Sequence, residues 1–253
     1  MRPFDAIVVD YAYRGLAGSV APLSGLPGLG RLHVVDNHGS TDWAAVEAAL
    51  PGRVCRHRFR QNVGFGAGVN RGASCVEQDS ALVINPDARI VDWDVQRSLA
   101  TMATSNAWIG APNLVEPNGQ PEVCWGELQN VSDLVGRVLG RTSLVKRSDP
   151  VAAGACLEAG WVSGACMLLD MQVFTALGGF DPRFFLYYED MDLCRRVHRS
   201  GHAVLKLGHG TVEHASHGTM RSSLRRRVRN YTSLVRYLAL SRAIRRPSLR
   251  SAA

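Results

Sequence analysis

The sequence has no Cys-x-x-Cys pair. Its six cysteines, at positions 55, 75, 124, 156, 166 and 194, are scattered through 253 residues, which excludes a zinc knuckle and a thioredoxin-like redox pair. Several sit in apolar runs and read as small buried residues, so reduced thiols and a cytoplasmic location are expected. No basic segment followed by a signal-type apolar run opens the chain. No stretch is long and apolar enough to span a bilayer, and internal repeats and low-complexity segments are absent. Acid is missing from one region: Arg221 onward holds ten Arg and no Asp or Glu. Taking those ten from the 29 Lys and Arg leaves 19 basic against 22 acidic residues upstream, within an overall charge of +7. A mildly acidic body argues against a nucleic-acid-binding one. The basic tail leaves open contact with an anionic surface.

What is present is an alternation. Ala6 to Val9, Leu32 to Asn37, Arg53 to His57 and Ala81 to Ile84 are short apolar runs that read as strands. Arg14 to Leu23, Thr41 to Leu50 (capped by Ser40 or Thr41) and Ala67 to Val76 read as the helices between them. Strands alternating with helices predict a mostly parallel α/β sheet with right-handed crossovers. In such sheets ligands gather at the carboxyl ends of strands. Asp36, Asn37, Asn62 and Asp87 all fall there, although each alone is an ordinary turn residue. Further on, Pro117 to Gln120 reads as a hairpin turn, Asn130 to Arg141 as a helix, and Trp161 to Leu169 as a strand. Met171 to Leu177 is a short helix, and Asp190 to Arg199 a helix stopped by Gly201. Ala203 to Leu207 and Thr211 to Glu213 are short strands. In the tail, Leu224, Val228, Tyr231, Val235 and Leu238 recur at helical spacing beside arginines. Such a face ordinarily packs on the body, with an anionic membrane as the alternative.

Several motifs carry chemistry. Asn62-Val-Gly-Phe-Gly-Ala-Gly lacks the third glycine of a dinucleotide fingerprint and the Lys-Ser/Thr of a phosphate loop. Its glycines serve either close ligand approach or tight packing. Asn85-Pro-Asp87 sets a carboxylate at a strand end, where it either holds Mg²⁺ or Mn²⁺ or caps the turn into a helix at Asp92. His214 is a possible second protein ligand, with His217 as a competitor. His198 and His202 are discounted as a pair, because Gly201 separates them. Glu189-Asp-Met-Asp192 follows an aromatic run. Its acids either complement a helix dipole or present a general base at the floor of a cleft.

Val35-Asp-Asn-His-Gly-Ser-Thr-Asp, Asn62-Val-Gly-Phe-Gly, Leu82-Val-Ile-Asn-Pro-Asp-Ala, Val162-Ser-Gly-Ala-Cys-Met and Gly178-Gly-Phe-Asp-Pro through Asp192-Leu-Cys occur in one order. Together they resemble glycosyltransferase family 2, in its rhamnosyltransferase-like branch, over about residues 6 to 219. The resemblance implies a GT-A fold, a divalent metal (Mg²⁺ or Mn²⁺), and inverting transfer of a sugar from a dTDP- or UDP-sugar to a hydroxyl. The acceptor would be a carbohydrate, a lipid-linked sugar or a small molecule. It implies Asp190 as base with Glu189 beside it, and Asp87 and His214 on the metal. Asp36, Asn37, Asn62, Gly64, Asn85, Ser163, Gly164 and Ala165 would lie at the donor, and Asp192, Tyr188 and Trp161 at the acceptor. Residues 1–220 would form the catalytic domain, with a donor half to about 112 and an acceptor half after it. Residues 221–253 would form a basic helical tail. Two departures stand out. Asn85 replaces the first Asp of the family's Asp-x-Asp, and Asp10-Tyr-Ala-Tyr13 replaces the usual end of the first strand. A nucleotidyltransferase and a non-catalytic sugar-nucleotide-binding subunit are the competing functions. If the tail meets lipid, the location is peripheral, at the inner face of a membrane.

Overall fold

Phe4–Asp10 (β1) is buried along its whole length, as a strand covered on both faces must be. Leu29–Asp36 (β2), Val54–Arg58 (β3) and Ser80–Ile84 (β4) join it in the parallel order β3-β2-β1-β4. The crossovers run through Leu16–Val20 (α1), Trp43–Ala49 (α2) and Phe65–Ala73 (α3). This computed structural model describes residues 1–128, 146–147, 149–215 and 224–241. The helix expected over Asn130 to Arg141 and the competitor His217 lie outside them.

The sheet continues past β4. Cys166–Asp170 (β11) runs antiparallel between β4 and Ala107–Val115 (β6). Ala203–His214 (β12) lies parallel to β6, and Ala88–Trp93 (β5) closes the edge antiparallel to β12. The order β3-β2-β1-β4-β11-β6-β12-β5 therefore threads the two expected halves through one sheet. Cys156–Glu158 (β9) pairs with β12. A small second sheet joins Trp161–Val162 (β10), Trp125–Gly126 (β7) and Lys146–Arg147 (β8).

Several expected elements differ, each for a local reason. The helix after Arg14 turns 3₁₀ at Ala21–Gly25, where Pro22 sits in its first turn. Asp42, not Ser40 or Thr41, caps α2, accepting from Ala45 N at 3.0 Å. Ser40 is held by the His38 ring, and Thr41 donates to Asp10 Oδ2 at 2.7 Å. Asp92 lies in β5, and the next helix, Val95–Thr104 (α4), is capped by Asp94. The run from Trp161 is two strands, broken at residues 163–165. The two strands expected after Ala203 are one, with an irregular register against β6 between Lys206 and Thr211. Met171–Ala176 (α5) and Glu189–Arg199 (α6) form as expected, and Gly201 follows α6 at φ 84°. The glycines of α3 serve packing: a Cβ at Gly68 would meet Val9 Cγ1 at 2.8 Å, and one at Gly72 would meet Ile7 Cγ2 at 2.6 Å.

The tail forms Leu224–Ser241 (α7); Leu238 packs against the core as expected, but Val228, Tyr231 and Val235 turn away from it. Ser233 and Tyr237 face the body, 3% and 0% exposed, while Val228, Tyr231 and Val235 stand 55%, 67% and 64% exposed. Polar and aromatic groups on the body fix this rotation. Ser233 Oγ donates to Leu186 O at 2.9 Å, the Tyr237 ring lies 5.7 Å from that of Tyr188, and Arg195 donates to Leu240 O.

Candidate active site

Three sheet positions meet at one edge. Strand β4 delivers Asn85 and Asp87 at its carboxyl end. Because β11 is antiparallel, the break before it, Ser163-Gly-Ala165, lies beside them, and Asn85 N donates to Ala165 O at 2.8 Å. The end of β12 pairs with the start of β5, His214 opposite Ala88, and Ala215 N donates to Asp87 O at 3.0 Å. The amino end of α6 completes the floor. A cavity of about 320 Å³ results, into which Asp87, His214, Glu189 and Asp190 all open.

Asp190 is oriented by backbone. Its Oδ2 accepts from Gly164 N at 3.0 Å and its Oδ1 from Met191 N at 2.8 Å. The two residues before α6, Tyr187 and Tyr188, take left-handed φ values of 70° and 68°, rare and strained for side chains of this size. Glu189 is 5% exposed, and its Oε2 is buried without a hydrogen-bond partner among the described residues. Burial, and then the neighbouring Asp190 charge, push its carboxyl well above the usual range. Trp161 lines the same cavity with a buried indole N–H that has no partner among the described residues.

In the same lining, His214 Nε2 lies 3.3 Å from Asp87 Oδ1 and 3.2 Å from the Asn85 amide, and its Nδ1 lies 2.8 Å from Glu122 Oε2. Burial pushes the imidazole pKa down, but the bonds to Asp87 and Glu122 outweigh it and lift the value to about 9. Among the described residues no three His, Cys, Asp or Glu side chains form a metal cluster. The chemistry of this pair nevertheless fits a hard or borderline cation: one carboxylate and one imidazole nitrogen lie 3.3 Å apart, and a cation held by both would displace the proton they now share. Glu122 on the far ring nitrogen is the partner that fixes the orientation of a ligating histidine.

The sequence-derived candidates separate accordingly. Asn85, Asp87, Ser163, Gly164 and Ala165 line the cavity, as do Trp161, Tyr188, Glu189, Asp190 and His214. Four expected donor contacts do not. Asp36 accepts from His38 N at 3.0 Å and Gly39 N at 2.5 Å, bracing the turn after β2. Asn37 bonds Gly64 O and Val63 N, and Asn62 Oδ1 accepts from Gly64 N, so these side chains and Gly64 knit the turn into α3. Asp192, expected at the acceptor, is 1% exposed and paired with Arg195 and, at 2.8 Å, Arg196. An i, i+3 and i, i+4 arginine pair was the signal for that. Sequence reasoning missed Glu122 and Asn230, both on the cavity wall; neither sits in a patterned motif.

The family model described as "Glycosyltransferase like family 2" matches residues 136–233. The N-acetylglucosaminyl-diphospho-decaprenol L-rhamnosyltransferase of Mycobacterium tuberculosis is 26% identical over 207 residues, covering 70% of this chain and 64% of that protein. The low-salt glycan biosynthesis hexosyltransferase Agl10 of Haloferax volcanii is 26% identical over 164 residues, 62% of this chain and 49% of that one. This chain thus spans 64% and 49% of the length of these two relatives. Among solved structures, GalNAc-T7 with UDP, GalNAc and Mn²⁺ superposes with a TM-score of 0.65 at 14% identity, over 93% of this chain and 47% of that one. The mannosyltransferase PcManGT of Pyrobaculum calidifontis with GDP-Man and Mn²⁺ gives 0.64 at 16%, over 98% and 66%. The fold is GT-A, and the chain is similar in sequence to family 2 glycosyltransferases.

Proposed function

We propose that this GT-A chain, similar to family 2 glycosyltransferases, moves a hexosyl or deoxyhexosyl group from a nucleotide-diphosphate sugar to an acceptor hydroxyl with inversion at the anomeric carbon. The observation that carries the reading is that Asp87, His214 and Asp190 line one cavity of about 320 Å³. Asp190, held by the Gly164 and Met191 amides, accepts the proton as the acceptor oxygen attacks. Glu189 Oε2 and the Trp161 indole N–H, both buried and without a partner among the described residues, bind acceptor hydroxyls. Asp87 and His214 would hold a divalent cation, which when bound offsets charge on the leaving diphosphate. Asn85 in place of an Asp lowers the negative charge of that wall. A lipid-linked diphosphate sugar is the acceptor class favoured by the name of the mycobacterial relative, an N-acetylglucosaminyl-diphospho-decaprenol L-rhamnosyltransferase.

The test is Asp190→Asn, assayed with candidate dTDP- and UDP-sugars with Mn²⁺. We expect retained donor binding and a loss of about 10²–10⁴-fold in turnover. Near-normal turnover would place the base elsewhere. Release of pyrophosphate from a nucleoside triphosphate would favour a nucleotidyltransferase instead.

A further inference from the structure

Helix α7 turns its most apolar stripe away from the protein. At about 100° per residue, Val228, Tyr231 and Val235 fall within roughly a 60° arc, and the body-facing Ser233 and Tyr237 lie roughly 160° from it. Thr232 and Ala239 are exposed on the same side. No acid occurs in the helix, while Arg225, Arg226, Arg227, Arg229 and Arg236 belong to it. Exposed Val, Tyr and Val on a surface helix mark an interaction face, and a wholly cationic helix selects an anionic partner.

We propose that the outward face of α7 docks on an anionic lipid bilayer. Val228, Tyr231 and Val235 enter the boundary between headgroups and acyl chains, and the net positive charge of the helix draws it to the anionic headgroups. Tyr suits that boundary, with an apolar ring and a polar tip. The inner side of the same helix reaches the active cavity, where Asn230 lines the wall. One helix, about 10 Å across, then separates the cavity from the lipid surface. On the functional reading above, a lipid-anchored acceptor meets the cavity without leaving the bilayer; the docking itself does not depend on that reading.

The test uses the full chain and sedimentation with vesicles, without donor or acceptor. Vesicles of equal parts phosphatidylcholine and phosphatidylglycerol should carry the protein down, and pure phosphatidylcholine should carry much less. Partitioning should fall between roughly 0.05 and 0.5 M salt. The triple variant Val228→Ser, Tyr231→Ser, Val235→Ser should bind at least about tenfold more weakly at unchanged melting temperature. Val91→Ser, on exposed β5, and Asp190→Asn should both bind as the parent does. Absence of binding to the anionic vesicles, or parent-like binding by the triple variant, overturns the proposal. So does a dimer that the triple variant converts to monomer, or retention on RNA that it abolishes; either would assign the stripe to another partner.

Discussion

Gly64 offers a quantitative check on how the cavity floor is held. It adopts φ 90° and ψ 177°, a region open essentially to glycine, where a side chain costs about 1–3 kcal/mol. An added Cβ would also lie 3.0 Å from Phe185 C and Cα and closer still to the carbonyl oxygen, all backbone atoms that cannot rotate away. Overpacking of that kind costs about 1–3 kcal/mol more. Gly64→Ala should therefore lose about 2–6 kcal/mol, a melting-temperature fall of roughly 5–20 °C for a domain of this size. Gly52→Ala is the control. Its φ is also positive, at 71°, but no atom of the described residues lies within 4 Å of the added Cβ. It carries only the conformational cost, partly offset by a stiffer unfolded chain, and should fall by less than about 5 °C. Differential scanning calorimetry of both variants decides. Equal falls would mean that the Phe185 backbone moves freely, and the account of a clamped floor would be wrong. The clamp also predicts a functional loss, because Phe65 N donates to that same Phe185 carbonyl at 3.1 Å.

Three further outcomes are expected. Glu122→Gln, which removes the charge fixing His214, should weaken Mn²⁺ activation about 10–100-fold; an unchanged metal titration would deny Glu122 that role. Asp192→Asn breaks a buried pairing with Arg195 and Arg196 and should cost about 3 kcal/mol in urea unfolding while leaving acceptor KM in place. A stable variant with a raised acceptor KM would restore Asp192 to the acceptor site. His57 is buried 3.1 Å from His33, and burial, then His33 and Arg71, push its pKa down to about 4. The unfolded chain takes that proton near pH 6.5, so protonation favours unfolding and stability falls as pH drops from about 6.5 to 4, by at most about 3 kcal/mol. Urea midpoints at pH 7 and 5 should differ more for the parent than for His57→Asn; identical slopes would refute the assignment.

The parallel strands were legible because burial on both faces leaves near-continuous apolar runs, as in Ile7-Val-Val and Leu82-Val-Ile. β5 and β6 were not. β5 carries Arg89 and Asp92 outward at a sheet edge, and β6 includes Gly110, Pro112 and Asn113, residues that ordinarily punctuate turns. At the site, Asp87, Asp190 and His214 were legible because each ends or opens an element with a patterned neighbour. Asp36, Asn37 and Asn62 showed the same chemistry in sequence, but nearby backbone groups bond Asn37, Asn62 Oδ1 and one oxygen of Asp36, and only coordinates reveal that competition. The rotation of α7 was hidden for a related reason. Helical spacing identifies the most apolar stripe, yet Leu186 O, Tyr188 and Arg195 supply partners for Ser233, Tyr237 and Leu240 O on another side.

Those same partners explain how two strained tyrosines persist. Tyr187 and Tyr188 cost about 1–3 kcal/mol each in the left-handed region, so their surroundings must over-determine them. Asn70 bonds both backbone groups of Phe180, at 2.7 and 2.8 Å. Phe65 N holds Phe185 O, Ser233 holds Leu186 O, and the Arg229 guanidinium sits 4.0 Å above the Phe185 ring. The segment that aims Asp190 is thus fixed from one side by α3 and from the other by α7, two helices that share no strand. Coupling of this kind lets anything that shifts α7, a bilayer included, alter the distance between Asp190 and Asp87. If the tail only decorated the surface, deleting residues from Leu224 onward would leave the cavity intact. The contacts to residues 183–188 require instead that such a truncation release the tyrosines and lower turnover, even with a water-soluble acceptor.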